Sequence, residues 1–244
     1  MRLAERKILV TGGSGALGSE LIPLLIDEGA EVDAPTHAEL RVEDVVEVAE
    51  FARNTKYDLV IHAAAWTDVP KAENPKYQRK VIEHNIFGAA NIAYAFDEVS
   101  KVKVVYISTD YVYPGIEGNY TPRSKTGPTT FYGFTKLAGE SHFSKTDLII
   151  RTSFAKRGTW GTEKNQLTKA FRDVYTSKDW VDVIAKKIIE AICKGKKGVI
   201  NVGTKRKTVL DLAVEDFPGV SELSYRDIDL PYDYPLDCSM KSSI

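Results

Sequence analysis

Cysteine, methionine and tryptophan are scarce here: two, two and three residues in a chain of 244. Two cysteines, Cys193 and Cys238, are too few for the disulfide framework of a small secreted domain, and they suit a reducing compartment. Neither stands at a metal-site spacing from another cysteine or a histidine, so no metal centre is expected. Long apolar runs are missing too; none approaches the ~18 residues of a membrane span. Nor is there an excess of charge. The 33 Lys and Arg face 34 Asp and Glu, a net charge of −1, which exerts no general pull on nucleic acid or an anionic membrane. There are no internal repeats or low-complexity stretches, and Met1 to Arg6 lead straight into a strand-like run without the apolar stretch of a secretory leader. The expectation is a soluble cytoplasmic protein, with one sizeable core or one domain plus a small lobe, that partners neither nucleic acid nor membrane.

What the chain does have is an alternation of β-rich runs and helical periods. Strands are expected at 7–11, 31–35, 58–63, 103–108, 147–151 and 198–202, and helices at about 16–28, 43–54, 75–99, 132–145 and 180–194. This alternation predicts an α/β fold, a Rossmann-type doubly wound parallel sheet covered by helices on both faces. Asn74 before Pro75 reads as a cap with proline at the first helical position. The helix that follows places Ile82, Ile86, Ala89, Ala93 and Phe96 on one stripe. Pro23 falls inside the first helix, where it should bend the helix or cost a hydrogen bond. Periodicity fades over 112–131 and 154–178, both expected as loops beside the site. The expected division is a dinucleotide-binding domain over 1–153 and a mainly substrate-side lobe over 154–244, with 180–204 returning to the Rossmann core.

Two motifs carry chemistry. Gly12, Gly15 and Gly18 stand three apart, directly after a strand-like run and before a helical pattern. That context is what makes a glycine turn a dinucleotide site. The glycines let the backbone turn tightly and approach a pyrophosphate at the helix N-terminus. Gly12, Ser14, Gly15, Ala16, Leu17 and Gly18 are the expected cofactor contacts. The second motif is Tyr132 with Lys136, about one turn apart on one helix face. A lysine ammonium beside a phenol lowers the phenol's pKa from about 10 and suits it to proton transfer near neutral pH. Thr109, in the Ser108–Asp110 triplet, offers a hydroxyl to hold a substrate carbonyl.

Several longer segments align with these motifs: Thr11–Gly18, Thr36–Leu40, Val60–Val69, Lys71–Glu73, Ile107–Tyr113, Tyr132–Glu140, Arg151–Phe154 and Pro235–Met240. Together they resemble the extended short-chain dehydrogenase/reductase superfamily and, within it, the dTDP-4-dehydrorhamnose reductase family. The resemblance implies NAD(P)H-dependent reduction of the 4-keto group of a nucleoside-diphosphate 6-deoxy sugar, in nucleotide-sugar and polysaccharide biosynthesis. It implies that Tyr132 protonates the developing alkoxide. It implies that Lys136 binds the nicotinamide ribose and lowers the tyrosine pKa, and that Thr109 hydrogen-bonds the carbonyl oxygen. Thr36, His37, Ala63, Ala64 and Ala65 then line the cofactor. Thr67, Val69, Tyr111 and Phe154 lie near the sugar, Asn85 braces the active-site loop, and a homodimer stays open as the assembly.

The departures from the family pattern are local. Sister 4,6-dehydratases carry Asp-Glu where this chain has Asp110 and Tyr111. A tyrosine cannot replace the glutamate that removes a carbon-bound proton, so dehydration is not expected. Phe154 stands where the family has tryptophan, with Trp160 as a neighbour that could take over the role. Residues 174–180 replace the family's Gly-x-Pro-Thr segment, which leaves the sugar unassigned. Arg41 occupies a position where the family usually has an adenine-contacting aspartate. It could stack on adenine or pair with a 2′-phosphate, which favours NADP(H) and leaves NAD(H) open; its other reading is a solvated surface charge. Two other functions stay open: a nucleotide-sugar epimerase, and a non-catalytic dinucleotide-binding subunit like the regulatory subunit of methionine adenosyltransferase.

Overall fold

The computed structural model describes residues 1–158, 167–229 and 233–244, without the side chains of 97–99. Six strands form one sheet: β1 (Lys7–Thr11), β2 (Glu31–Asp33), β3 (Leu59–His62), β4 (Val104–Thr109), β5 (Leu148–Thr152) and β6 (Gly198–Val202). Their order is β6-β5-β4-β3-β1-β2, and every neighbouring pair is parallel. Each expected strand is present, with ends shifted by a residue or two. The inner strands are unbroken apolar runs because helices cover both faces. On one face, α1 (Ala16–Asp27) and α5 (Val181–Cys193) bury Leu17, Leu21, Leu25, Ile184, Ile188 and Ile192 against Ile8, Val10, Ile61 and Ile150. On the other, α2 (Val45–Asn54) and the helix α3 over 75–99 place Val48, Ile92 and Phe96 on Leu9, Val60 and Val104. The strand order reverses between β1 and β3. Chain leaving these two strands diverges there, and the divergence opens a crevice at their carboxyl ends.

Helix α3 keeps the later part of its expected stripe, with Ala89, Ala93 and Phe96 buried, but departs from it at Ile82 and Ile86, and that departure shapes the site. Asn74 accepts the Lys76 N–H at 3.0 Å and starts the helix. The turn Glu83–Phe87 is then a π turn, which admits one extra residue per turn. Val81, Asn85, Gly88, Ala89 and Ile92 are buried, while Ile82 and Ile86 are only half-buried. The buried stripe through Val81, Asn85, Ala89 and Ile92 thus runs one residue before the expected isoleucines and places a polar side chain, Asn85, toward the interior. Gly88 has to be small here, since a Cβ would lie 2.9 Å from Val42 Cγ2.

Other boundaries have plain causes. The tyrosine helix α4 (Phe131–Glu140) stops short of the expected 145. Asp147 holds the next turn instead, accepting the Ser144 N–H at 2.9 Å and the Val104 N–H at 2.7 Å. Helix α1 runs through Pro23, which lies on its exposed side. Beyond β5, α5 and β6 are part of the main sheet layer, whereas 167–180 and 203–229 contribute two-residue and three-residue strand pairs. The C-terminal segment returns to the core: Ser239 accepts the Tyr120 N–H at 2.9 Å, and the Ser243 N–H reaches the Asn201 carbonyl at 2.8 Å. Trp160 and Tyr232 lie outside the described residues. Among the described residues no helix is long and apolar enough to cross a membrane.

Candidate active site

The glycine turn sits in the crevice between β1 and β3. Gly12 has φ +73°, and a Cβ there would lie 2.6 Å from the Ala64 backbone nitrogen. A Cβ on Gly18 would lie 2.3 Å from the Gly12 carbonyl oxygen. Only glycine permits this closeness of strand, turn and helix. At the start of α1 the cap is Gly15, so no side chain takes the first N–H groups. They have no intrahelical acceptors and present a site for an anion. Underneath, Thr11 and His62 are paired across the register and joined by a 2.7 Å hydrogen bond. Burial, helped by the charge of Lys136, pushes His62 down to about 3, so it is a neutral packing group.

One cavity of about 470 Å³ runs from this turn to the tyrosine helix. Its wall includes Gly12, Ser14, Gly15, Ala16, Leu17, Gly18, His37, Ala63, Ala64 and Ala65 at one end. Thr67, Val69, Thr109, Tyr111, Tyr132, Lys136 and Phe154 line it too. The buried hydroxyl of Thr152, which has no hydrogen-bond partner among the described residues, also lines it. A bare helix N-terminus, glycines that no side chain could replace and an unpartnered hydroxyl fit a long polar ligand with a phosphate near Gly15.

The tyrosine helix is aimed by its own caps. The Glu73 carboxylate accepts the N–H groups of Phe131 at 2.9 Å and Tyr132 at 3.2 Å. Thr130 accepts the Gly133 N–H at 3.0 Å. From the π turn of α3, the Asn85 side chain accepts the Trp66 N–H at 2.8 Å and donates to Thr135 at 3.0 Å. One amide thus ties the loop after β3 to the tyrosine helix. The Thr109 hydroxyl lies close enough to the Tyr132 phenol to lower its pKa.

The electrostatics differ from the expectation that Lys136 lowers the Tyr132 pKa. Burial raises Tyr132 well above the ordinary tyrosine range, and this outweighs the lowering from the Thr109 hydroxyl. The Lys136 ammonium instead lies 4.2 Å from the centre of the Tyr106 ring. Burial pushes it down to about 7 against the opposing pull of Glu140. Tyr132 therefore holds its proton near neutral pH, the state of a donor. Asp110, beside Thr109 at 3.2 Å, is pushed up to about 6, chiefly by burial.

Lys136 thus costs the fold stability. Its folded pKa lies below the unfolded value of about 10.4, so between about pH 7 and 10 the unfolded chain binds more protons and stability rises with pH. Lys136→Met is expected to lack this rise. It should also be more stable at pH 7, by about 1–3 kcal/mol, since a buried charge gives way to a side chain of similar volume. Urea denaturation of both proteins at neutral and alkaline pH checks this; a variant less stable than the parent at pH 7 would contradict it.

Two expected cofactor residues are not brought to the cavity. Thr36 turns to Glu39, with both its N–H and its hydroxyl 2.8 Å from that carboxylate. Arg41 is held by Glu47 at 2.8 Å and Asp44 at 3.0 Å. Asp44 is at the same time the cap of α2, so the ion pair is built into a helix start. Conversely, Asp110, His84, Ser153 and Lys178 line the cavity without having been assigned a role. Asp110 was visible in its triplet. Lys178 lies in a stretch without period and is placed by the pairing of Phe154–Ala155 with Asp179–Trp180, which no local signal announces.

The profile of the RmlD substrate binding domain family matches residues 6–190. A dTDP-4-dehydrorhamnose reductase from Streptomyces griseus is 37% identical over 153 residues, 62% of this chain and 49% of that protein. The chain thus spans about half the length of that curated relative. The solved structure of a hypothetical dTDP-4-dehydrorhamnose reductase from Sulfolobus tokodaii is 30% identical and superposes with a TM-score of 0.83 over 97% of this chain and 92% of that one. The dTDP-4-dehydrorhamnose reductase from Bacillus anthracis, solved in complex with NADP, has a TM-score of 0.86 over 98% of this chain and 91% of that one. At 23% identity it speaks for the fold.

Proposed function

The chain belongs to the RmlD substrate binding domain family, and on that premise we propose that it reduces the 4-keto group of a nucleoside-diphosphate 6-deoxy sugar, using NADP(H). The observation that carries this reading is that Thr109, Tyr132 and Lys136 share one cavity with the glycine turn. The NADP complex of the Bacillus anthracis structure supports the choice of cofactor. In this reading residues 154–244 are mainly the substrate side, with 180–204 in the Rossmann core, and the enzyme works in the cytoplasm.

The Gly12–Gly18 turn and the α1 N-terminus hold the diphosphate, and Ala63–Ala65 flank the remainder of the cofactor. Bound there, the dinucleotide supplies the hydride. Thr109 positions the sugar carbonyl oxygen by its hydroxyl. Tyr132, kept protonated by burial, gives its phenolic proton to that oxygen as it becomes the product hydroxyl. Lys136 lines the same cavity one turn along the helix, where its ammonium can reach the ribose of a bound cofactor. Tyr111, edge-on to Tyr132 with ring centroids 6.1 Å apart, closes the sugar side and contributes no base for elimination.

The test is NADPH consumption with a panel of 4-keto sugar nucleotides that differ in base and sugar. Turnover of at least one supports the reading; stable NADPH binding with no turnover on any would favour a binding subunit instead. Because Arg41 is engaged by Asp44 and Glu47, Arg41→Ala is expected to change NADPH affinity by no more than about twofold. A tenfold loss in a fluorescence titration would place Arg41 on the cofactor.

A further inference from the structure

We propose that His37, Glu43 and His84 bind one divalent transition-metal ion of the zinc class, which staples the loop after β2 to α3 at the rim of the cavity. His37 Nε2 lies 2.9 Å from Glu43 Oε1, and His84 Nε2 lies 4.0 Å from the same oxygen. One ligand atom from each residue falls within 4.8 Å of the others. Two imidazole nitrogens and a carboxylate form a donor set that zinc accepts while keeping a further position open. Magnesium and calcium, which prefer oxygen alone, are poorly served by it.

Two further observations point the same way. His84 Nδ1 lies 2.9 Å from the Lys80 carbonyl. Donating there commits the ring proton to Nδ1 and leaves the Nε2 lone pair facing Glu43, as metal-binding histidines are commonly fixed. Glu43 Oε2 is buried without a hydrogen-bond partner among the described residues. A His37–Glu43 ion pair alone explains neither of these.

The site is assembled from separate elements, so sequence spacing conceals it. His37 and Glu43 come from the loop between β2 and α2, and His84 from the π turn of α3, the same turn that carries Asn85. With metal–ligand lengths of about 2.0–2.1 Å, tetrahedral donors lie about 3.4 Å apart. Closing the set therefore needs His84 and Glu43, 4.0 Å apart, to approach by about 0.6 Å, with the exposed His37 side chain adjusting to meet them. Because His37 and His84 also line the cavity, a bound ion fixes part of its wall.

The experiment uses the full chain, stripped with a chelator, with Zn²⁺ or Co²⁺ alone and neither cofactor nor sugar nucleotide present. Calorimetry should find one zinc per chain, Co²⁺ should give a ligand-field absorption band, and zinc should raise the melting midpoint. His84→Gln and Glu43→Gln should each weaken zinc binding by at least about tenfold and abolish the thermal shift. His142→Gln, an exposed histidine elsewhere, should bind like the parent. Melting in chelator shows which variants fold, and either of the two site variants suffices. Absence of stoichiometric zinc in the parent, undiminished binding in a folded site variant, or loss in His142→Gln overturns the proposal. None of these results bears on the reductase reading, which the cofactor and sugar assays test separately.

Discussion

Tyr132→Phe is expected to bind NADPH within about twofold of the parent and to lose turnover by about 10²–10⁴-fold, the range for removal of a general acid. The change deletes one hydroxyl and leaves the ring, which packs with Ala72, Val81 and Tyr111. The fold should therefore survive. What is lost is specific. Tyr132 is only 9% exposed, and burial raises its pKa, so it holds a proton throughout the neutral range. Thr109 can still hold the carbonyl, but its alcohol is far too weak an acid to replace a phenol. Stopped-flow NADPH oxidation with a substrate that turns over, beside a fluorescence titration of cofactor, separates the two effects. Turnover within tenfold of the parent would move proton donation to another group. Asp110, buried next to Thr109 and pushed up to about 6, is then the candidate.

How much of this was readable in the chain depends on whether the signal was local. Parallel strands buried on both faces are apolar runs, so β1, β3, β4 and β5 announce themselves. Gly12 and Gly18 are demanded by clashes of under 3 Å with backbone close by in sequence or in the next strand, and their spacing shows it. The tyrosine and lysine follow from one turn of helix. The burial of Asn85 on α3 was hidden, because Ile82 and Ile86 are four apart and imitate an ordinary stripe. Only burial shows that Asn85 faces inward in their stead. The roles of Glu73 and Lys178 were hidden for another reason. Glu73 caps a helix that begins far along the chain, at Phe131, and Lys178 reaches the cavity through a two-residue strand pair. For Arg41 the sequence leaves two readings, since an arginine in the place of an adenine-contacting aspartate suggests a phosphate. Yet its neighbours Asp44 and Glu47, themselves organised by the start of α2, hold it first.

Arg151→Met should destabilise the fold by about 3–5 kcal/mol, the cost of leaving a buried carboxylate without its partner. Glu140 and Arg151 are 7% and 6% exposed at their side chains, and two guanidinium nitrogens reach the carboxylate at 3.0 and 2.7 Å. Ser108 donates to the same group at 2.6 Å. The remaining guanidinium nitrogen donates to Tyr113 at 3.0 Å, and Tyr113 in turn donates to Asn201 at 2.8 Å. The network thus joins α4 to β4, β5 and β6. Without Arg151, the serine alone cannot offset burial of the carboxylate. Glu140→Gln with Arg151→Met should recover part of the loss, because no buried charge remains. Urea midpoints for the parent, both single variants and the double variant form the cycle. Additive losses would mean that the two residues act independently and that the carboxylate is solvated in spite of its burial. A strong coupling would have a second consequence. Glu140 lies one turn from Lys136 and raises its pKa against burial. Glu140→Gln should therefore push Lys136 lower still, and the pH-dependent rise in stability assigned to Lys136 should begin at a lower pH.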